Sequence, residues 1–300
     1  MRGMSPLAFL KVDAMRFAIT LSDRFKPVLD VFMQAGWEPL KMFCTPVDHK
    51  MHHHKASVAF AEQRKLPLQL SPMRPHDLEE LADMGCEALL VASYNWRIPD
   101  WTPHLKYAVN FHPSPLPLGR GPYPQVRALL EGRREWGVSC HKVGPEFDTG
   151  DILAQEIFPL GEADSHQMLD FKLQLALHRL SHQVANQFQR LWGEAWPQGE
   201  GGSYWPLWTD QDRVLDFKRT TAELLRQLRA FGDFECAATI NNVTIFIHRA
   251  EGWVESHGFA AGAVIYSQSE QLLVATADGM LLISEWSLYG PDAVTGRGRR

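Results

Sequence analysis

Apolar positions in the first two thirds of the chain switch repeatedly between continuous runs and helical spacing. Residues 16–21, Arg-Phe-Ala-Ile-Thr-Leu, read as a buried strand. From Asp23 to Gly36 the side chains Phe25, Val28, Leu29, Phe32 and Met33 recur at helical spacing, and Gly36 is a natural stop. Residues 39–44 predict a second strand. A polar, His-rich stretch from Asp48 to Lys55 leads into a helix from Ala56 to Arg64. A short strand at 66–70 and a helix from Pro75 to Gly85 follow, with Leu78, Leu81 and Met84 on one helical face. The unbroken run from Ala88 to Ser93 is the pattern of a central parallel strand. Strands at Tyr107–Phe111 and Trp136–Val143, and helices at Gln125–Glu131 and Ser165–Trp192, continue the series. The apolar positions of the last helix are Met168, Leu169, Phe171, Leu173, Leu175, Leu177 and Leu180. This alternation predicts an α/β fold: a Rossmann-like, mostly parallel sheet with helices on both faces.

The texture changes after Pro197-Gln-Gly-Glu-Gly-Gly-Ser203, which reads as a linker. One helix, Thr221 to Phe231, precedes short alternating runs at 237–240, 243–247, 263–266, 271–276 and 280–283. Asn241-Asn242 and Asp278-Gly279 are hairpin turn signals. Strands at this spacing predict a small C-terminal β-barrel of the OB type. The expected organisation is a catalytic domain at 15–196, a linker at 197–206 and a β-barrel domain at 207–300.

Composition narrows the classes. The chain has 300 residues, 45% hydrophobic and 22% charged, which excludes disordered and low-complexity classes. Lys and Arg total 30 against 35 Asp and Glu, so no global positive field draws nucleic acid. Four scattered cysteines without a CxxC pair fit a reducing compartment. No apolar run approaches the roughly 20 residues that span a bilayer, so no membrane is expected. Residues 1–14 lack a clear signal-peptide pattern and read as an upstream start or leader. The expectation is a cytoplasmic protein.

Candidate chemistry gathers at two loops. The strand at 107–111 runs into His112-Pro-Ser-Pro-Leu-Pro-Leu-Gly-Arg-Gly121, whose three prolines preclude regular structure. That places a rigid loop at a strand's carboxyl end, where open α/β sheets bind ligands. Asn110 and His112, two residues apart, point to one side if the strand persists. Asp148 lies in Phe147-Asp148-Thr149-Gly150, after another strand. An amide, an imidazole and a carboxylate suit acyl transfer without a covalent nucleophile. The amide stabilises an oxyanion, the imidazole moves the amine's proton, and the carboxylate orients the imidazole. On spacing alone, His112 as a turn residue and Asp148 as a cap carry comparable weight.

These segments also resemble the formyltransferase family. The resemblance rests on Asn110-Phe-His112-Pro-Ser114-Pro-Leu116-Pro-Leu-Gly-Arg120-Gly121, then Gly137-Val138, then Phe147-Asp148-Thr149-Gly150-Asp151-Ile152-Leu153. It spans roughly residues 15–195, with a fainter likeness from Val214 through Phe231 and from Leu272 to Ile283. It implies 10-formyltetrahydrofolate as co-substrate, with catalytic Asn110, His112 and Asp148 and no metal. It places the pterin on main-chain groups of Trp96, Arg97, Ile98 and Pro99, and of Gly144, Glu146 and Phe147. It puts the acceptor near Ser114, Leu116, Arg120 and Gly121. Family members acting on tRNA usually carry glycine where this chain has Asn95, beside bulky Trp96.

The acceptor is read from charge. From Trp205 onward the chain holds 9 Lys and Arg against 12 Asp and Glu, a balance of −3. The loop expected to meet tRNA, residues 48–55, has two lysines and four histidines and little charge at neutral pH. A small-molecule or carrier-bound amine is therefore preferred to tRNA. Methionyl-tRNA formylation and hydrolysis of the formyl donor are the rival readings. The barrel would serve packing, formation of a homodimer or acceptor recognition. His49, His52, His53 and His54 cannot all face one ion, and no Cys or carboxylate set completes a site. Arg120 would contact an acceptor anion or brace its loop. Trp192, Trp196, Trp205 and Trp208 would pack between domains, Cys140 within the core.

Overall fold

The computed structural model describes residues 14–46 and 53–288. The first unit runs β1 (Arg16–Leu21), α1 (Lys26–Gln34), β2 (Glu38–Phe43), α2 (Lys55–Arg64), β3 (Leu68–Gln69), α3 (Pro75–Asp83) and β4 (Ala88–Ala92). It continues with β5 (Tyr107–His112), α4 (Gln125–Leu130), β6 (Glu135–Lys142), β7 (Ile152–Pro159) and α5 (His166–Gly193). Its seven-stranded sheet has the order β3-β2-β1-β4-β5-β6-β7. The pairings among β1 to β5 are parallel, whereas β6 is antiparallel to both β5 and β7. The order reverses between β1 and β4, the switch point at which such sheets bind ligands.

Burial explains the strands. Every residue of β4 is buried, as its apolar run requires, and Phe17, Ala18, Ile19 and Leu21 of β1 are at 0% exposure. Phe32, Trp37 and Phe111 pack edge to face in the same core, a favourable aromatic arrangement. Gly36 stops the first helix at φ +90, a conformation that side chains rarely adopt. Ser165 caps α5 by accepting from Met168 N at 3.2 Å. Three of the apolar positions of α5, Met168, Phe171 and Leu175, face outward. β7 is an added strand: its mixed composition, Ile-Leu-Ala-Gln-Glu-Ile-Phe-Pro, belongs to an edge with one open side.

The second unit contains α6 (Thr221–Phe231) and the strands β8 (Cys236–Ile240), β9 (Val243–Val254), β10 (Val264–Gln268), β11 (Gln271–Ala275) and β12 (Gly279–Ser287). They form a five-stranded antiparallel sheet in the order β10-β11-β12-β9-β8. Asn241 and Asn242 both have positive φ, the geometry of the tight hairpin between β8 and β9. Ser269 and Glu270 make the equivalent turn between β10 and β11.

The units meet where α6 packs on α4. Trp205 stacks on the fully buried Trp136 of the first sheet, with centroids 5.6 Å apart and planes 10° apart. Trp208 packs against Phe231 and Phe234, and Trp192 against Phe188 and Tyr107. The residues between the units are irregular yet hydrogen bonded to both loops named above, as in the pair Arg120–Tyr204. His49, His52, the leader and the terminal arginines lie outside the described residues. No helix among the described residues is long and apolar enough to cross a membrane.

Candidate active site

β5 ends with Asn110 and His112 on one face, because alternate residues of a strand share a side. β6 lies antiparallel beside it in the register Asn110↔His141 and His112↔Ser139. Directly opposed residues share a face too, so His141 joins the group. The loop after β6 turns back and delivers Asp148, held at φ 56. The next residue but one must be glycine: a side chain at Gly150 would collide with the Lys142 carbonyl.

Three side chains converge on one oxygen, Asp148 Oδ1. Asn110 Nδ2 donates to it at 3.1 Å, His112 Nδ1 stands 3.4 Å away and His141 Nε2 3.6 Å away. The other oxygen, Oδ2, accepts from the backbone N–H of Gly121 at 2.9 Å. Asn110 Nδ2 also lies 3.1 Å from His141 Nε2, and His141 Nδ1 lies 2.8 Å from the Lys142 carbonyl. That pattern assigns the proton of a neutral His141 to Nδ1, leaving Nε2 to accept from Asn110. His112 Nε2 donates to the Gly119 carbonyl at 2.9 Å.

Burial acts on both titrating partners. It pushes the His112 pKa below the ordinary histidine value, although the Asp148 carboxylate pulls it upward. Burial alone would raise the Asp148 pKa, but the positive charge that the His112 and His141 rings carry when protonated, together with the Gly121 N–H, outweighs it and holds the group ionised well below the usual carboxylate range. A neutral His112 with its proton on Nε2 turns the Nδ1 lone pair toward Asp148. A proton accepted there is met at once by a carboxylate, so the pair can take up a proton and release it.

A cavity of about 430 Å³ opens over this group. Asn110, His112, His141 and Asp148 line it, with Trp96, Arg97, Ile98, Gly144, Glu146 and Phe147 of the expected pterin loops. Arg97 Nη2 donates to the Pro145 carbonyl at 2.6 Å and so ties those two loops together. Pro99 is not among the lining residues. Of the four expected acceptor contacts, Gly121 lines the cavity and the others belong to its framework. The Ser114 carbonyl accepts from Ser139 Oγ, and Leu116 is held through its N–H by Ser139 and through its carbonyl by Gln155. Arg120 turns away and gives a two-point contact to Gln198. The Cys140 side chain is buried in the core on β6.

The lining also contains residues that sequence reasoning passed over: Arg24, Tyr123, Gln125, Tyr204 and Leu207. Arg24 pairs with Asp170 of α5 and lies over the Tyr123 ring at 5.2 Å. Tyr123 OH bonds His166 Nε2 at 2.9 Å. Gln125 is 1% exposed, and neither atom of its amide has a hydrogen-bond partner. His141 was the omission with a readable signal: in Val138-Ser139-Cys140-His141, polar residues alternate with apolar ones and mark the face turned to the loops.

Known proteins resemble this chain in sequence and in fold. The family model described as formyl transferase matches residues 16–184, and the one described as formyl transferase, C-terminal domain, matches residues 208–298. A methionyl-tRNA formyltransferase from Methylobacillus flagellatus is 34% identical over 215 residues, covering 70% of this chain and 69% of that protein. Among solved structures, the N-formyltransferase from Helicobacter canadensis with folinic acid and dTDP-3-aminofucose superposes with a TM-score of 0.65. It is 17% identical and is aligned over 91% of this chain and 100% of its own. HypX from Aquifex aeolicus in complex with tetrahydrofolic acid gives a TM-score of 0.62 at 19% identity over 91% of this chain. The present chain spans under half, 44%, of the HypX length.

Proposed function

Since the chain belongs to the formyl transferase family, we propose that it carries the formyl group of 10-formyltetrahydrofolate to the amine of a small-molecule or carrier-bound acceptor. The observation that carries the reading is the meeting of Asn110, His112 and Asp148 around one oxygen in the floor of the cavity. The residues fit a folate. The cavity is of a size that takes a small ligand, and its folate-side lips, Trp96, Ile98 and Phe147, are apolar faces for a flat ring. Bound there, 10-formyltetrahydrofolate supplies an electrophilic formyl carbon.

The chain's own groups then divide the work. His112 Nδ1 takes the proton that the attacking amine loses as its nitrogen bonds to the formyl carbon. Asp148 stabilises the imidazolium so formed and holds the ring for return of the proton to the departing nitrogen. Asn110 Nδ2 exchanges its 3.1 Å contact with His141 for the charge developing on the formyl oxygen. In this reading residues 15–196 form the catalytic domain, 197–206 the connection and 207–300 the accessory domain.

The preference for a small acceptor rests on charge. Among the described lining residues the cationic side chains are Arg24 and Arg97. Arg24 is paired with Asp170, and Arg97 lies 3.9 Å from Glu146. With a balance of −3 after residue 204, little counterion release is available to bind a polynucleotide. Methionyl-tRNA is the second reading, favoured by the 34% identical relative. Charged initiator tRNA and a panel of small amines, including nucleotide-linked amino sugars, are offered with 10-formyltetrahydrofolate. Formylation confined to the small amines is expected. Strong formylation of the tRNA ends the preference, and absence of folinic acid binding ends the whole reading.

A further inference from the structure

The segment joining the two units runs directly behind the site. Ser203 N donates to the Pro117 carbonyl at 3.1 Å, Arg120 N to the Ser203 carbonyl at 2.9 Å and Trp205 N to the Arg120 carbonyl at 2.7 Å. Ile152 and Trp196 exchange a reciprocal pair of 2.8 and 3.0 Å. Within this segment every hydrogen-bonding position of the Gln198 side chain is used. Its Nε2 donates to the carbonyls of Asp148 and Gly150, both at 2.8 Å. Its Oε1 accepts from Arg120 Nε at 2.9 Å and Nη2 at 2.7 Å. Further along, Ser203 Oγ accepts from Gly119 N at 3.0 Å.

Gly119 and Asp148 are the residues that orient His112: the Gly119 carbonyl holds Nε2 and the Asp148 carboxylate faces Nδ1. The segment therefore grips both orienting partners of one imidazole. Asp148 also needs an external hold, because a non-glycine residue at φ 56 sits in a disfavoured backbone region. Neither Gln198 nor Ser203 lines the cavity, so neither touches substrate.

We propose that Gln198 and Ser203 are positioning residues, and that the segment 196–205 is a strap holding the two loops at the separation that proton transfer between amine, His112 and Asp148 requires. This rests on the reading of His112 and Asp148 as the proton-handling pair of formyl transfer. A displacement of about 1 Å at such a pair is enough to cost about a hundredfold in rate. A segment that merely joined two units would change stability when altered and leave the imidazole undisturbed.

The test follows the His112 ring by NMR titration in the full chain, in Gln198→Leu, Ser203→Ala and Ser203→Thr, beside melting temperature and folinic acid binding. The titrating groups acting on the ring are Asp148 and His141. Loosening the strap lets the Asp148 carboxylate draw away, so its upward pull weakens and His112 titrates at lower pH. A shift of about half a pH unit is expected in Gln198→Leu, a smaller one in Ser203→Ala and none in Ser203→Thr, which keeps the hydroxyl. Turnover in Gln198→Leu falls about tenfold with the KM for the formyl donor held within about threefold. Wild-type titration in both Gln198→Leu and Ser203→Ala overturns the proposal, even if melting falls. If Gln198→Leu does not fold, Ser203→Ala decides alone. A wild-type chain that fails to bind folinic acid defeats the folate reading instead, and leaves the titration result to stand separately.

Discussion

His112 Nδ1 lies 3.4 Å from Asp148 Oδ1, while Nε2 of the same ring is committed to the Gly119 carbonyl at 2.9 Å. One nitrogen is thereby reserved for structure and the other for chemistry. As a base, His112 must be neutral, and burial holds its pKa below the ordinary 6.5. Turnover should rise with pH along an acid limb below that value and be level at neutrality. Asp148 raises the His112 pKa, so Asp148→Asn should move the limb to still lower pH while the plateau falls about a hundredfold. Rate profiles of both forms check this, and a limb displaced upward would refute the assigned direction.

Asn110→Ala or His112→Ala should lower kcat about a hundredfold in a chain that still folds, with the circular-dichroism spectrum of wild type. Near-normal turnover in either would remove that residue from the reaction.

His141 tests the network one step out. His141→Phe keeps a ring on β6 but removes the acceptor for an Asn110 N–H. Asn110 is half-buried, so a donor left without that partner costs about 1 kcal/mol, read as a slightly lower melting temperature. Turnover should drop about tenfold as Asn110 loses its fixed orientation. A variant equal to wild type in both would show that Asp148 alone holds Asn110.

Gly150→Ala separates loop geometry from the acid–base groups, since its methyl group collides with the Lys142 carbonyl. It leaves all three side chains in the sequence, yet should lose most activity because Asp148 cannot keep its place. Undiminished turnover would mean that the loop has slack.

His166 governs stability rather than rate. Burial pushes its pKa down to about 4, where it accepts from Tyr123 OH as a neutral ring. The unfolded chain binds this proton near 6.5 and the folded one only near 4, so stability falls as pH drops through that interval, by about 3 kcal/mol. In His166→Gln, which keeps an acceptor, the decline in melting temperature between pH 6.5 and 4 should flatten. An unchanged slope would assign the decline to other groups.

Much of this was legible in the sequence, and the reasons differ residue by residue. The buried run of β4 and the stop at Gly36 are local signals, read without knowing the fold. Asn110 and His112 could be placed together because a strand's period is two. Their junction with Asp148 rested on the resemblance, since nothing local says that the loop after β6 turns back. Arg120 stayed open between an acceptor contact and a brace because Gln198, to which it donates, lies 78 positions away. Gln125 and Tyr123 line the cavity through tertiary packing alone. Phe171 and Leu175 had the right period for a core but fall on the outer side of α5. The Pro- and Gly-rich connection reads as a linker because composition reports backbone freedom, not the hydrogen bonds that remove it.

The stack of Trp205 on Trp136 sets where this protein can be recombined. A chimaera that takes its C-terminal unit from a relative and is cut at the glycines would import a foreign aromatic, or none, onto a tryptophan that, among the described residues, has no other ring over it. The serviceable crossover lies beyond Trp205, so the natural unit of inheritance for the catalytic half reaches past the stretch that composition marks as its border.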